Sequence, residues 1–123
     1  MIETKNIIHH NRTLLEALSQ INCIGKGPLV LFVVNDENRM VGTLTDGDSR
    51  RALISGASVN DKVDKIMHRD FNYMRIDDIQ NVAEIRRQKA MLMKLVPVLD
   101  SESISLTLLI WIDLILVCQL MQY

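Results

Sequence analysis

Gly42-Thr43-Leu44-Thr45-Asp46-Gly47-Asp48-Ser49-Arg50-Arg51 decides the fold, because in it a strand runs into a hydroxyl, two carboxylates and a helix start. Upstream, Leu29 to Val34 is a continuous apolar run, Asn35 to Arg39 a polar turn and Met40 to Leu44 a second short apolar segment. This order predicts a hairpin that feeds the helix. Thr45 or Asp46 is the expected N-cap and Gly56 the expected stop. The first free amides of such a helix carry roughly half a positive charge, which favours a phosphate. Thr45 is placed to donate to that phosphate and Asp48 to accept from a sugar hydroxyl. Both also have a plain structural reading, since Thr and Asp at a helix start cap it without any ligand. Asp46 suits a cap or turn, and Arg50 and Arg51 suit either a phosphate or a solvated face.

Working outward, the sequence matches itself at a spacing of 65. Thr13 falls on Asp78, each an expected helix cap, and Thr13 with Glu16 has the spacing of a capping box. Leu14, Ala17 and Leu18 fall on Ile79, Val82 and Ala83, an amphipathic stripe in each half. Leu31, Val33 and Val34 fall on Val96, Val98 and Leu99, and Val41 and Leu44 on Leu106 and Leu109. Both halves therefore read helix, strand, turn, strand, helix. A short helix over Val59 to Met67 and a strand over Asn72 to Ile76 are expected between them. The fold class is α/β in the α+β sense: two repeats, 1–60 and 61–123, each a small sheet with flanking helices, packed about a pseudo-twofold axis.

The 123 residues suit one globule, long enough to bury roughly two-thirds of its unfolded surface. Fourteen Lys and Arg against fifteen Asp and Glu give a formal charge of −1, so no nucleic-acid partner is expected. Cys23 and Cys118 lack CxxC spacing, and Met1 to Asn11 lacks an apolar leader, which reads as a cytoplasmic chain with reduced thiols. Residues 104–121 are apolar enough to raise a membrane helix. Asp113 near their middle opposes it at about 2.5 to 3.5 kcal/mol, and the repeat divides the stretch into a strand and a helix. No P-loop, dinucleotide fingerprint or nucleophile elbow is present, and no catalytic set is found. His9 and His10 are adjacent, and on a helix adjacent side chains diverge by about 100°, so no metal site is expected.

The Gly-x-x-Thr-x-x-Asp run at Gly42, Thr45 and Asp48, inside the repeat, closely resembles the motif of a tandem pair of CBS domains, the Bateman module. The fuller run from Gly42 to Leu53 is similar to the pairs attached to sugar-phosphate nucleotidylyltransferases of the mannose-1-phosphate guanylyltransferase kind, and also to those of arabinose-5-phosphate isomerases. An amino-terminal pair favours the former. The resemblance implies an adenine nucleotide, AMP, ADP or ATP, as a regulatory ligand rather than a required cofactor. Asp48 would meet its ribose and Thr45 its phosphate, while Leu29, Val30 and Leu44 flank the base. Gly42, Asp46, Gly47, Arg50 and Arg51 complete the expected site, with Asp113 as the second-half counterpart of Asp48. It also implies a homodimer through the helices and a transferase domain, attached or missing, that carries the catalysis.

The second half departs from the motif. Gly42, Thr45 and Asp48 become Thr107, Ile110 and Asp113 at the 65 spacing, and Arg50 and Arg51 become Ile115 and Leu116. One nucleotide site is expected, in the first half. Leu114 to Tyr123 is apolar nearly all round, which points to a partner, a missing domain, or a shortened or altered end. The competing expectation is a dimerisation module indifferent to nucleotides.

Overall fold

A computed structural model describes residues 4–25, 28–71, 73–75, 95–99 and 106–111. They fall in two compact units, Thr4–Phe71 and a second that holds the strands beyond it. In the first unit the order is β1 (Ile7–His9), α1 (Leu14–Ile24), β2 (Val30–Val34), β3 (Met40–Thr45) and α2 (Asp46–Ile54). The expected hairpin forms, with Val30 opposite Thr45 and Val33 opposite Gly42. Its turn is closed by the Asn35 side chain, whose Oδ1 accepts the amides of Glu37 and Arg39, both at 3.0 Å. Asn38 takes φ 61°, a left-handed conformation that Asn tolerates.

Helix α1 begins as its sequence requires. Thr13 caps it, Glu16 returns the bond to the Thr13 backbone, and the box is complete. That hydrogen bond to the Thr13 backbone, with Arg12 beside it, holds the Glu16 carboxyl below its ordinary range. Leu14, Ala17, Ile21 and Ile24 recur at helical spacing and are buried with Leu31, Val33 and Leu44 of the hairpin. Each fully buried leucine contributes roughly 1.5 to 3 kcal/mol over its exposed state. Residues Leu31 to Val34 are buried without alternation, the pattern of a strand covered on both faces.

Two features differ from the sequence expectation. Ile7–His9, in a stretch where the sequence predicts no element, is a strand that pairs in parallel with β2, Ile8 beside Val33. Residues 59–67 form a helix only at a 3-10 turn, Val63–Lys65. The reason lies in their backbone groups. The carbonyls of Val59 and Asp61 accept the amides of Leu15 and Leu14 at 2.9 and 2.8 Å, and the Val63 amide bonds Arg12 O at 2.8 Å. This segment thus satisfies the first-turn donors that α1 cannot bond internally, and it is unavailable for a continuous helix.

The second unit repeats the sheet. Strands β4 (Met74–Arg75), β5 (Leu95–Leu99) and β6 (Leu106–Trp111) have the order β4-β5-β6, parallel then antiparallel, as in β1-β2-β3. Even the irregularity recurs, between Val33 and Val34 and between Val98 and Leu99. The spacing is not uniform, however. Leu31 opposes Leu44 and Val96 opposes Ile110, so the central strands match at 65 and the outer ones at 66. Six residues separate Leu99 from Leu106 in the sequence, where five separate Val34 from Met40. The expected second-half helix from Asp78 and the chain after Trp111 lie outside the described residues.

Candidate functional site

The β3–α2 junction is built from a second capping box. Thr45, at φ −99° and ψ 167°, is the N-cap; its Oγ1 accepts the Asp48 amide at 3.0 Å and its own amide donates to Asp48 Oδ2 at 3.0 Å. Asp48 Oδ1 accepts from Arg51 Nη2 at 2.7 Å, and Asp46 pairs with Arg50 at 2.7 Å. Burial pulls the Asp48 carboxyl upward. The Thr45 amide, the Arg51 guanidinium and the Thr45 hydroxyl outweigh it and hold the group below the ordinary aspartate range. Asp48 is therefore a carboxylate that accepts one hydrogen bond on each oxygen from its own helix turn and keeps further acceptor sites. Ser49, buried completely, donates from Oγ to Thr45 O at 3.0 Å and fixes the same turn.

Some of the expected residues line a cleft and others hold the helix start. An open cleft of about 440 Å³ lies where the end of α1 meets the start of α2, lined by Leu18, Ile21, Asn22, Gly25, Leu29, Asp46 and Arg50. This volume suits a small ligand. The Asp46 amide bonds Leu29 O at 3.2 Å, which ties the lead-in of β2 to the helix start. Thus Leu29, Asp46 and Arg50 line the cleft, whereas Thr45, Asp48 and Arg51 hold the start of α2. Leu44 is fully buried in the core. Gly47 lies under Arg51, whose guanidinium would stand 3.3 Å from a Cβ placed there.

Gly42 owes its identity to packing. A Cβ there would meet Met67 Sδ at 2.7 Å and His68 O at 2.9 Å. That segment pairs with β3, Thr43 and His68 exchanging backbone bonds at 2.9 and 2.8 Å. In the second hairpin Trp111 opposes Leu95 as Thr45 opposes Val30. Asp113 lies outside the described residues.

Sequence reasoning missed the wall supplied by α1, Leu18, Ile21, Asn22 and Gly25. The available signal was Asn22 beside the helix-ending Gly25, whose φ of 72° closes α1. It also missed Asn6, buried, whose side-chain amide bonds Val30 O at 2.8 Å and Pro28 O at 3.3 Å and so fixes the entry to β2. Among the described residues no helix is long and apolar enough to cross a membrane.

No family model matches the chain, and no curated protein matches it. Solved structures do. OpuCA of Staphylococcus aureus superposes with a TM-score of 0.71 at 20% identity, over 95% of this chain and 93% of that one. The CBS domains of a transcriptional regulator from Streptococcus pneumoniae give 0.70 at 19%, over 94% and 91%. The cytosolic domain of the Mg2+ channel MgtE, solved in complex with ATP, gives 0.68 at 23%, over 91% of this chain and 44% of that one. The fold is that of CBS domains.

Proposed function

We propose that this chain is a regulatory CBS pair that binds an adenine nucleotide, AMP, ADP or ATP, in its first half, and that it serves as the sensor portion of a sugar-phosphate nucleotidylyltransferase. The observation that carries the reading is the cleft beside the β3–α2 junction, with apolar walls from Leu18, Ile21 and Leu29 and one cation, Arg50, at its edge. Apolar walls suit a base; Arg50, 74% exposed and paired with Asp46, can exchange that carboxylate for a phosphate. The MgtE structure with ATP supports the ligand class by likeness of fold. Thr45 and Asp48 contribute by holding the helix start, and Gly42 by admitting Met67 beneath it. Asp113, the counterpart of Asp48 at the 65 spacing, lies outside the described residues and is given no part in this site. No catalytic role is assigned to this chain. Binding would regulate an attached enzyme only through different affinities for two arrangements of the module.

Calorimetric titration with AMP, ADP and ATP tests this. One of the three should give saturable heat, weakened by Arg50→Ala and abolished by Leu29→Trp, which fills the cleft. No heat from any of them would end the reading. A second reading, self-association without nucleotide, is favoured by exposed apolar side chains, Leu15 at 53% and Ile54 at 84%. Sedimentation with and without nucleotide separates the two, since the assembly reading requires a dimer in both and its loss in Ile54→Lys.

A further inference from the structure

We infer that His9, His10 and Asp36 form a binding site for a divalent transition metal of the zinc type. The divergence of adjacent histidines holds for a helix, but His9 ends β1 and His10 stands in the turn after it. Their rings lie 4.6 Å apart at a 40° tilt. One ring nitrogen of each and one Asp36 oxygen all lie within 4.8 Å of one another, with His9 Nε2 2.5 Å from Asp36 Oδ1. Residues 27 apart in sequence meet because β1 runs beside β2 and Asp36 opens the turn that β2 enters.

The backbone under all three is pinned. The His10 amide bonds Val34 O at 2.9 Å, and Arg12 N bonds His9 O at 3.0 Å. Asn35 closes the turn that carries Asp36. Asp64 Oδ2 stands 3.7 Å from His10 Nδ1, beyond hydrogen-bond range, and on closing in would orient that ring as carboxylates orient metal-bound imidazoles. Ligand atoms around a tetrahedral ion with bonds of about 2.0 to 2.2 Å stand roughly 3.3 Å apart. Asp36 must therefore draw back by about 1 Å and His10 close in by up to about 1.5 Å. Asp36 is 81% exposed, so its side chain moves at little cost.

One competing bond must yield. The Asn11 amide donates to His9 Nδ1 at 3.2 Å, which places the proton on Nε2, facing Asp36. A metal takes the place of that proton and moves it to Nδ1, so the exposed Asn11 turns its amide away. Two imidazoles and one carboxylate, with no thiolate, select zinc and its neighbours in the transition series over magnesium or calcium. Three protein ligands leave further positions to water. The ion would staple the end of β1 to the β2–β3 turn.

Zinc chloride titrated calorimetrically into the full chain, with Cys23 and Cys118 changed to Ser so that thiols do not compete, tests the site. One ion per chain is expected, with Asp36→Asn and His10→Gln each weakening it about tenfold or more and His68→Gln leaving it unchanged. The Asn11 amide resonance should shift as zinc is added. No binding at micromolar zinc, or equal affinity in Asp36→Asn and His10→Gln, overturns the assignment. Loss of binding in His68→Gln would do the same.

Discussion

Replacing Gly42 with Ala separates a glycine kept for packing from one kept for a ligand. The added Cβ meets Met67 Sδ and Cγ at 2.7 and 2.8 Å and the His68 carbonyl at 2.9 Å. The methionine chain can give way, but the carbonyl cannot do so freely, because it accepts the Thr43 amide at 2.9 Å. Overpacking of this kind costs about 1 to 3 kcal/mol, and loosening the Thr43–His68 pair adds about 0.5 to 1.5 kcal/mol. A loss of about 2 to 3 kcal/mol is expected, which at a urea slope near 2 kcal/mol/M lowers the unfolding midpoint by about 1 to 1.5 M. Met67→Ala removes the side-chain part of the clash while costing about 2 to 5 kcal/mol by itself. The double variant should therefore be more stable than the sum of the singles by about 1 kcal/mol. Urea titration followed by circular dichroism reads all four proteins. A Gly42→Ala midpoint within about 0.2 M of the parent, or strict additivity with Met67→Ala, would refute the packing account.

The other predictions concern the same junction and its support. Thr45→Ala removes the α2 cap and should cost about 0.5 to 2 kcal/mol in the same assay. Asp48 has its folded pKa lowered, so the stability it contributes is present above the unfolded value, near 3.9, and is lost as pH falls through that value to the folded one. Thermal midpoints should accordingly fall more steeply from about pH 5 to pH 3 in the parent than in Asp48→Asn; parallel curves would show that the carboxylate is not held as described. Asn6→Ala leaves Val30 O and Pro28 O without their side-chain donor and should cost about 1 to 3 kcal/mol, with amide exchange quickened along β2.

What could be read from the sequence was local. The hairpin and both caps were legible because apolar runs, a polar turn and Thr three residues before an acid act over a few neighbouring positions. Strand β1 was not legible: Ile7-Ile8-His9 is too short to show a period, and its parallel partner is 25 residues away, Ile7 beside Phe32. The repeat was found, but an ungapped comparison has no means of seeing that the outer strands match at 66 while the central ones match at 65. The half of the cleft wall on α1 was hidden for a different reason. Leu18 belongs to the amphipathic stripe and reads as core, and only the tertiary approach of α2 turns its edge, with that of Ile21, into a lining. His9 and His10 were judged by helical geometry that their backbone does not have.

The two bonds from Leu14 and Leu15 to the carbonyls of Asp61 and Val59 make the start of α1 a gauge of a segment far along the chain. Neither amide has a helical acceptor of its own, so each resists exchange with solvent only while residues 59–61 remain docked. Hydrogen exchange at these two positions thus reports the release of that return segment directly, distinct from the unwinding of the helix, which Ile21 and Ile24 would report. A ligand or neighbouring domain that pulls on the segment leaving this unit should register first as faster exchange at Leu14 and Leu15.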